Sequence, residues 1–134
     1  MDLEKKANFI VSWIRSYAIK SKQHSLVVGI SGGVDSALTS LLCAKTKLKT
    51  IAVSIPIHQH TNEINNANIH LDWLCKKFKN VHQRTMELTK LFNLYTELIP
   101  KEFQTELGFA NSRSRMRMMI LYQIACKEGG LVVG

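Results

Sequence analysis

Residues 26–44 hold the feature that most narrows what this chain can fold into. Leu26, Val27, Val28 and Ile30 form a short apolar, β-branched run, the pattern of a buried strand. Ser31-Gly32-Gly33-Val34-Asp35-Ser36 follows, and then Ala37-Leu38-Thr39-Ser40-Leu41-Leu42-Cys43-Ala44 reads as a helix. A strand that enters a helix through such a turn has the geometry of an anion cradle. Glycines let the backbone turn tightly and come close to a ligand. The free N–H groups of the helix start, at the positive end of its dipole, attract phosphate oxygens. Ser31 and Ser36 add hydroxyl donors. Asp35 is out of place beside phosphates unless a divalent cation lies between them, since Mg²⁺ is held by one or two carboxylates plus substrate phosphates. The plainer alternative is an ordinary turn with Asp35 as a helix cap. Neither Gly-x-x-x-x-Gly-Lys-Ser/Thr nor Gly-x-Gly-x-x-Gly occurs here.

Strands and helices alternate around this turn. Leu3, Ala7, Ile10, Val11, Ile14, Tyr17 and Ala18 recur at helical spacing behind Asp2, a suitable cap. Ile51–Ile55 is a second buried strand stopped by Pro56. Ile64, Ala67, Leu71, Leu74, Cys75 and Phe78 mark an amphipathic helix, Val81–Thr85 a weak third strand, and Leu88–Ile99 another helix closed by Pro100. From Lys101 to Phe109 the pattern fails, and Gly108 predicts a break, either a short loop or a mobile flap. The last helix is expected to open at Asn111. Its segment Met118–Cys126 is nearly apolar all round, which predicts burial. Leu131-Val132-Val133 begins a final strand. The expectation is a single α/β domain over residues 1–134, an open parallel sheet with helices on both faces. Ligands bind such sheets beyond the carboxyl ends of the strands, so the loop Ile57–Asn62 shares the cleft with the turn. His58 and His60 lie there with no carboxylate or thiol at ligand spacing, which favours polar loop residues over a metal site.

The formal charge of +8 favours anionic partners. No basic, aromatic-interleaved stretch of the kind that grips single strands is present, so nucleotides are expected and nucleic acid is not. No apolar run approaches the roughly 18 residues of a membrane span, and the first residues lack a signal-peptide pattern. Cys43, Cys75 and Cys126 fall on separate predicted helices without C-x-x-C spacing, which suits the reducing cytoplasm. Arg113 and Arg117 share a helix face, whereas Arg115 points about 200° away from Arg113. Cations near a helix start oppose its dipole, which argues for an anionic ligand there.

Ser31-Gly32-Gly33-Val34-Asp35-Ser36 resembles the SGGxDS loop of the PP-loop, or N-type, ATP pyrophosphatases, which split ATP between the α and β phosphates. Asn111-x-x-x-Arg115-x-Arg117-Met118, Tyr122 and Leu131-Val132-Val133-Gly134 resemble the GN-x-x-x-R-x-R-M…Y…VVG stretch of NAD synthetases, with Ala110 where glycine is usual. Pro56, Gln59 and Asn62 are similar more loosely. The resemblance implies an adenine nucleotide alpha hydrolase-like, Rossmann-like sheet. It also implies adenylation of the nicotinate carboxylate of deamido-NAD by ATP with Mg²⁺, pyrophosphate release, and displacement of AMP by ammonia to give NAD⁺. A homodimer is implied as well. Carried over by position, Gly29, Ile30, Ser31, Gly32, Gly33, Val34, Asp35 and Ser36 would hold ATP, with His60 near a position that helps. Asp35 would bind Mg²⁺, and Arg115 with Asn111 would hold the dinucleotide. No catalytic nucleophile is expected, because the substrate's carboxylate attacks while the protein orients and neutralises. Only 28 residues precede Gly29, so ammonia is expected to be free or delivered. That family continues past VVG with a threonine for ATP and a second acidic Mg²⁺ ligand. The expectation is therefore an N-terminal portion, its sheet incomplete at the C-terminus and with little synthetase activity of its own. Two other readings stay open: another PP-loop ligase, amidating a mononucleotide or modifying tRNA with salt-dependent RNA binding, or a non-catalytic nucleotide-binding module.

Overall fold

A computed structural model describes residues 2–134. Its centre is β1 (Ser25–Ile30), which pairs in parallel with β2 (Lys49–Ser54) on one side and β4 (Gly130–Val132) on the other. β3 (Val81–Thr85) adds in parallel to β2, so the strand order is β3-β2-β1-β4. The chain builds outward from β1 to β3 and then returns to the far side of β1. That reversal between β1 and β4 is a topological switch point, where the loops leaving neighbouring strands diverge and open a crevice.

Successive residues of β1 point to opposite faces, and both faces are covered. Val28 and Ile30 join Ala52 and Val81 against α2 (Val34–Lys45) and α3 (Thr61–Lys77), which contribute Ala44, Ala67, Leu71 and Leu74. α1 (Leu3–Lys20) extends this layer, placing Ile14 and Ala18 against Leu26 and Cys43. On the other face Val27, Ile51, Val53 and Ile55 meet Leu121 and Ala125 of α5 (Glu106–Glu128). α4 (Thr89–Leu98) closes the carboxyl end of the sheet, where Phe92 packs with Ile57 and Met116. The expected open parallel sheet with helices on both faces is what forms.

Local chemistry sets the element ends. Asp2 accepts a hydrogen bond from the Glu4 N–H, as its capping role requires. Gly129 ends α5 in the left-handed region at φ 58°, where an added Cβ would meet the His24 ring.

Two expectations fail at α5. The helix begins at Glu106, five residues before Asn111, with a short 3-10 turn at Lys101–Phe103 in place of a loop or flap. Gly108 does not break the chain. It lies in the first turn, donating its N–H to Thr105 Oγ1 at 3.0 Å, and a Cβ there would sit 2.8 Å from that oxygen. The cap outweighed the glycine signal. Arg113 consequently lies about two turns into the helix, too deep for the dipole argument, which holds only within the first turn. The second failure is burial: Met118, Met119, Tyr122 and Cys126 are exposed, because the sheet covers only one side of α5. Among the thiols Cys43 alone is buried, and burial pushes its pKa up to about 12. No helix among the described residues is long and apolar enough to cross a membrane.

Candidate functional site

The turn after β1 sits at the switch point and is braced by its own side chains. Ser36 Oγ accepts from the Ser31 N–H at 3.1 Å and donates to the Gly33 carbonyl at 3.2 Å. Ser31 Oγ accepts from the Gly33 N–H at 3.2 Å and lies 3.1 Å from Ser36 Oγ. Both hydroxyls are thereby engaged in shaping the turn rather than left as ligand donors. The backbone supplies the donors instead: no internal acceptor meets the N–H groups of Gly32, Val34, Asp35 or Ser36. These are the orphan amides of a helix start. Gly32 is obligatory in this shape. Its φ is 94°, and a Cβ would fall 2.4 Å from the Glu63 carbonyl in the first turn of α3. Asp35 belongs to the first turn of α2 and does not cap it, since Gly33 holds the cap position.

Two cavities flank Gly29 at the carboxyl ends of the strands. The one on the β4 side, about 500 Å³, is lined by Asp35, Ser36, Thr39 and Tyr122 together with Val132–Gly134. The one on the β2 side, about 240 Å³, has an apolar floor of Val53, Ile55 and Leu121 with Ser31, Gln59, Ser114 and Arg117 around its rim. Gln59 reaches across from the loop after β2, its Nε2 donating to the Ser31 carbonyl at 3.4 Å. An anion on the turn would therefore have an apolar slot on one side and a carboxylate-lined hollow on the other.

The other residues singled out from sequence divide between this cleft and elsewhere. His60 caps α3 through its backbone, accepting from Glu63 and Ile64, and its side chain is exposed. His58 turns away: its ring meets Asn93 Oδ1 at 2.6 Å and the edge of Phe92. Among the described residues no three His, Cys, Asp or Glu side chains cluster as a metal site. Arg115 and Asn111 lie outside the cleft. Arg115 Nη1 donates to the Asn111 carbonyl at 3.2 Å, and its side chain borders an open groove with Met118, Met119, Tyr122 and Cys126. Arg113 lies over the Phe92 ring at 5.3 Å.

The arginine inside the cleft is Arg117. It is half-buried, its Nε donates to the Ile55 carbonyl at 2.8 Å, and it has no ion-pair partner among the described residues. Burial and the neighbouring Arg113 pull its pKa below the ordinary guanidinium value, with Glu63 acting in the opposite sense. A helical signal for this placement exists in the sequence: Arg117 is four residues before Leu121 and eight before Ala125, the sheet-facing positions of α5.

A family model described as NAD synthase matches residues 6–134. The chain belongs to the NAD synthase family. It is 33% identical to the NH3-dependent NAD⁺ synthetase of Methanosarcina acetivorans across the whole of this chain and 52% of that protein. An NH3-dependent NAD synthetase from Campylobacter jejuni, solved with a nitrate ion, superposes with a TM-score of 0.86 at 25% identity, over 98% of this chain and 56% of that one. An NMN synthetase from Francisella tularensis shares the fold, with a TM-score of 0.88 at 23% identity over 98% of this chain and 53% of that one. The chain thus spans about half the length of these relatives. In this NAD synthase-family chain that half contains the switch point, the braced turn and both cavities.

Proposed function

We propose that this chain is the nucleotide-activating portion of an ammonia-dependent NAD synthetase. The observation that carries this is the braced turn at the switch point, with unpartnered amides at Gly32, Val34, Asp35 and Ser36 and the Asp35 carboxylate beside them. The turn suits pyrophosphate: its own side chains brace it, and its unpartnered amides are donors for negative charge. ATP would lie with its terminal phosphates on the turn and its nucleoside in the apolar slot on the β2 side. The carboxylate oxygen of the acid substrate would attack the α phosphorus from the side opposite the turn, in line with the departing pyrophosphate. Ammonia then displaces AMP from the adenylated carboxylate. Every step is bond exchange at substrate atoms; the protein contributes position and charge.

Asp35 fits a Mg²⁺ ion in one specific way. It is exposed, forms no ion pair, and stands alone among the described residues as an acidic group on the turn. A lone carboxylate holds Mg²⁺ only together with nucleotide phosphates, so metal and ATP would arrive together. Bound there, the ion would neutralise charge on the phosphates. Arg115 and Asn111 would hold the rest of the dinucleotide along the open groove of α5, the face a second subunit would cover in a homodimer.

The test is formation of AMP and NAD⁺ from ATP, Mg²⁺, ammonium and deamido-NAD. It is run on this chain and on a chimera in which the remaining residues of the Methanosarcina relative follow Gly134. NAD⁺ from the chimera, lost in Asp35→Ala, supports the reading. AMP without NAD⁺ would mean another acceptor, with the deamidated mononucleotide the first to try. ATP binding with no AMP from either chain would leave a binding module.

A further inference from the structure

We infer that Arg117 is the residue that holds the α-phosphate of the nucleotide, an assignment that rests on the nucleotide reading above. Its Nε is fixed on the Ile55 carbonyl at 2.8 Å, which leaves both Nη groups without a protein partner in a cavity that it shares with Ser31, the first residue of the turn. A half-buried guanidinium held only through its Nε keeps its other N–H donors available to an anion that enters the cavity. The two other arginines of α5 are placed otherwise, Arg113 over Phe92 and Arg115 on the outer groove. Lys49 and Glu128 form the one ion pair among the described residues; Glu63 lies near enough to act on the Arg117 charge but makes no ion pair with it.

The position of that charge selects the ligand atom. Terminal phosphates on the free amides of Gly32, Val34, Asp35 and Ser36 and a nucleoside over Val53, Ile55 and Leu121 leave one phosphate between them, in the cavity that Ser31 and Arg117 both line. A planar fork with one arm anchored on backbone suits a tetrahedral oxyanion and fixes its orientation. Negative charge shifts at this phosphorus when it is transferred, so a cation fixed before the reaction also lowers the barrier. The base contributes apolar contact, which Arg117 does not supply.

Binding of adenosine, AMP and ATP to the 134-residue chain by calorimetry separates the possibilities, using wild type, Arg117→Met and Arg117→Lys, with circular dichroism and melting to verify the fold. Loss of a charge-assisted contact is expected to weaken AMP and ATP at least about tenfold in Arg117→Met. Adenosine should change less than about twofold, and Arg117→Lys should fall between, since it keeps the charge but not the fork. AMP affinity unchanged in Arg117→Met overturns the assignment, as does an equal loss for adenosine. If Arg117→Met does not fold, Arg117→Lys decides: a loss for AMP without a loss for adenosine supports the role, and parallel losses refute it. A wild-type chain that binds neither AMP nor ATP overturns the nucleotide reading and this assignment together.

Discussion

Arg115 and Arg117 stand two residues apart on α5 and occupy different chemical worlds. Arg117 faces the sheet, in line with Leu121 and Ala125, half-buried and fixed on the Ile55 carbonyl. Arg115 faces outward, in line with Met119 and Tyr122, beside an apolar groove that the described residues leave open. One face completes a cleft from within the chain, and the other presents a surface. A motif read as a string gives both arginines the same weight, whereas a helix of 3.6 residues per turn assigns them to different tasks.

Truncating neighbouring residues on the two faces gives the largest contrast. Leu121→Ala empties space under Gly29 and beside Val53, and should cost about 2–4 kcal/mol. Tyr122→Ala, one position on and mostly exposed, should cost well under about 1 kcal/mol. Chemical denaturation of both variants checks this, and equal losses would mean that the outer face is buried in solution.

The cleft face should also respond to a single methyl group. Gly32→Ala places carbon against the Glu63 carbonyl at a φ that L-residues avoid, so ATP affinity should drop by at least about tenfold while most stability is kept. Arg115→Ala should leave ATP and AMP binding unchanged and weaken only the dinucleotide acid in the chimera. Equal weakening of ATP would move Arg115 into the cleft and break the comparison.

Thiol labelling sharpens it further at small cost to the molecule. Cys126, on the outer face, should react with a maleimide at native pH. Cys43, buried and with its pKa at about 12, should react only on unfolding. Fast labelling of Cys43 in the native chain would contradict the packing of α1 on α2.

The smallest effect is pH dependence. His70 Nε2 lies 2.7 Å from Ser40 Oγ, and burial lowers its pKa. Unfolded chains then bind the extra proton more readily, so this contribution to stability is complete above the ordinary imidazole value of 6.5 and declines as the pH falls below it. His70→Gln should flatten that part of the stability profile, and an unchanged slope would assign it to another group.

The sheet was legible because its signals are local. Leu26–Ile30 and Ile51–Ile55 are mostly apolar short runs that alternate with helical patterns, which suits a parallel sheet covered on both sides. The turn was legible because two glycines between a strand and a helix leave few other geometries. What the chain order hid was tertiary. Gly108 signals a break in isolation but serves a Thr105 cap in place. The apolar stretch Met118–Cys126 states that a surface needs covering without stating by what. The motif resemblance assigns a ligand to Arg115 and none to Arg117, although the spacing to Leu121 and Ala125 aims Arg117 at the sheet. Ser31 and Ser36 looked like ligand donors, yet their hydroxyls bond each other and the turn, and that pairing exists only once the turn has formed.

The central claim is that the turn after β1 receives the phosphates of a nucleotide through its backbone amides. The most direct measurement is an NMR titration of ATP with Mg²⁺ into the isotopically labelled chain, followed at each amide. Saturable shifts are expected to concentrate at Gly32, Val34, Asp35 and Ser36 and to be reproduced by pyrophosphate alone, with the Arg117 side chain moving for ATP but not for pyrophosphate. Shifts confined to the outer groove around Arg115 and Tyr122, or no saturation at the turn, would contradict it.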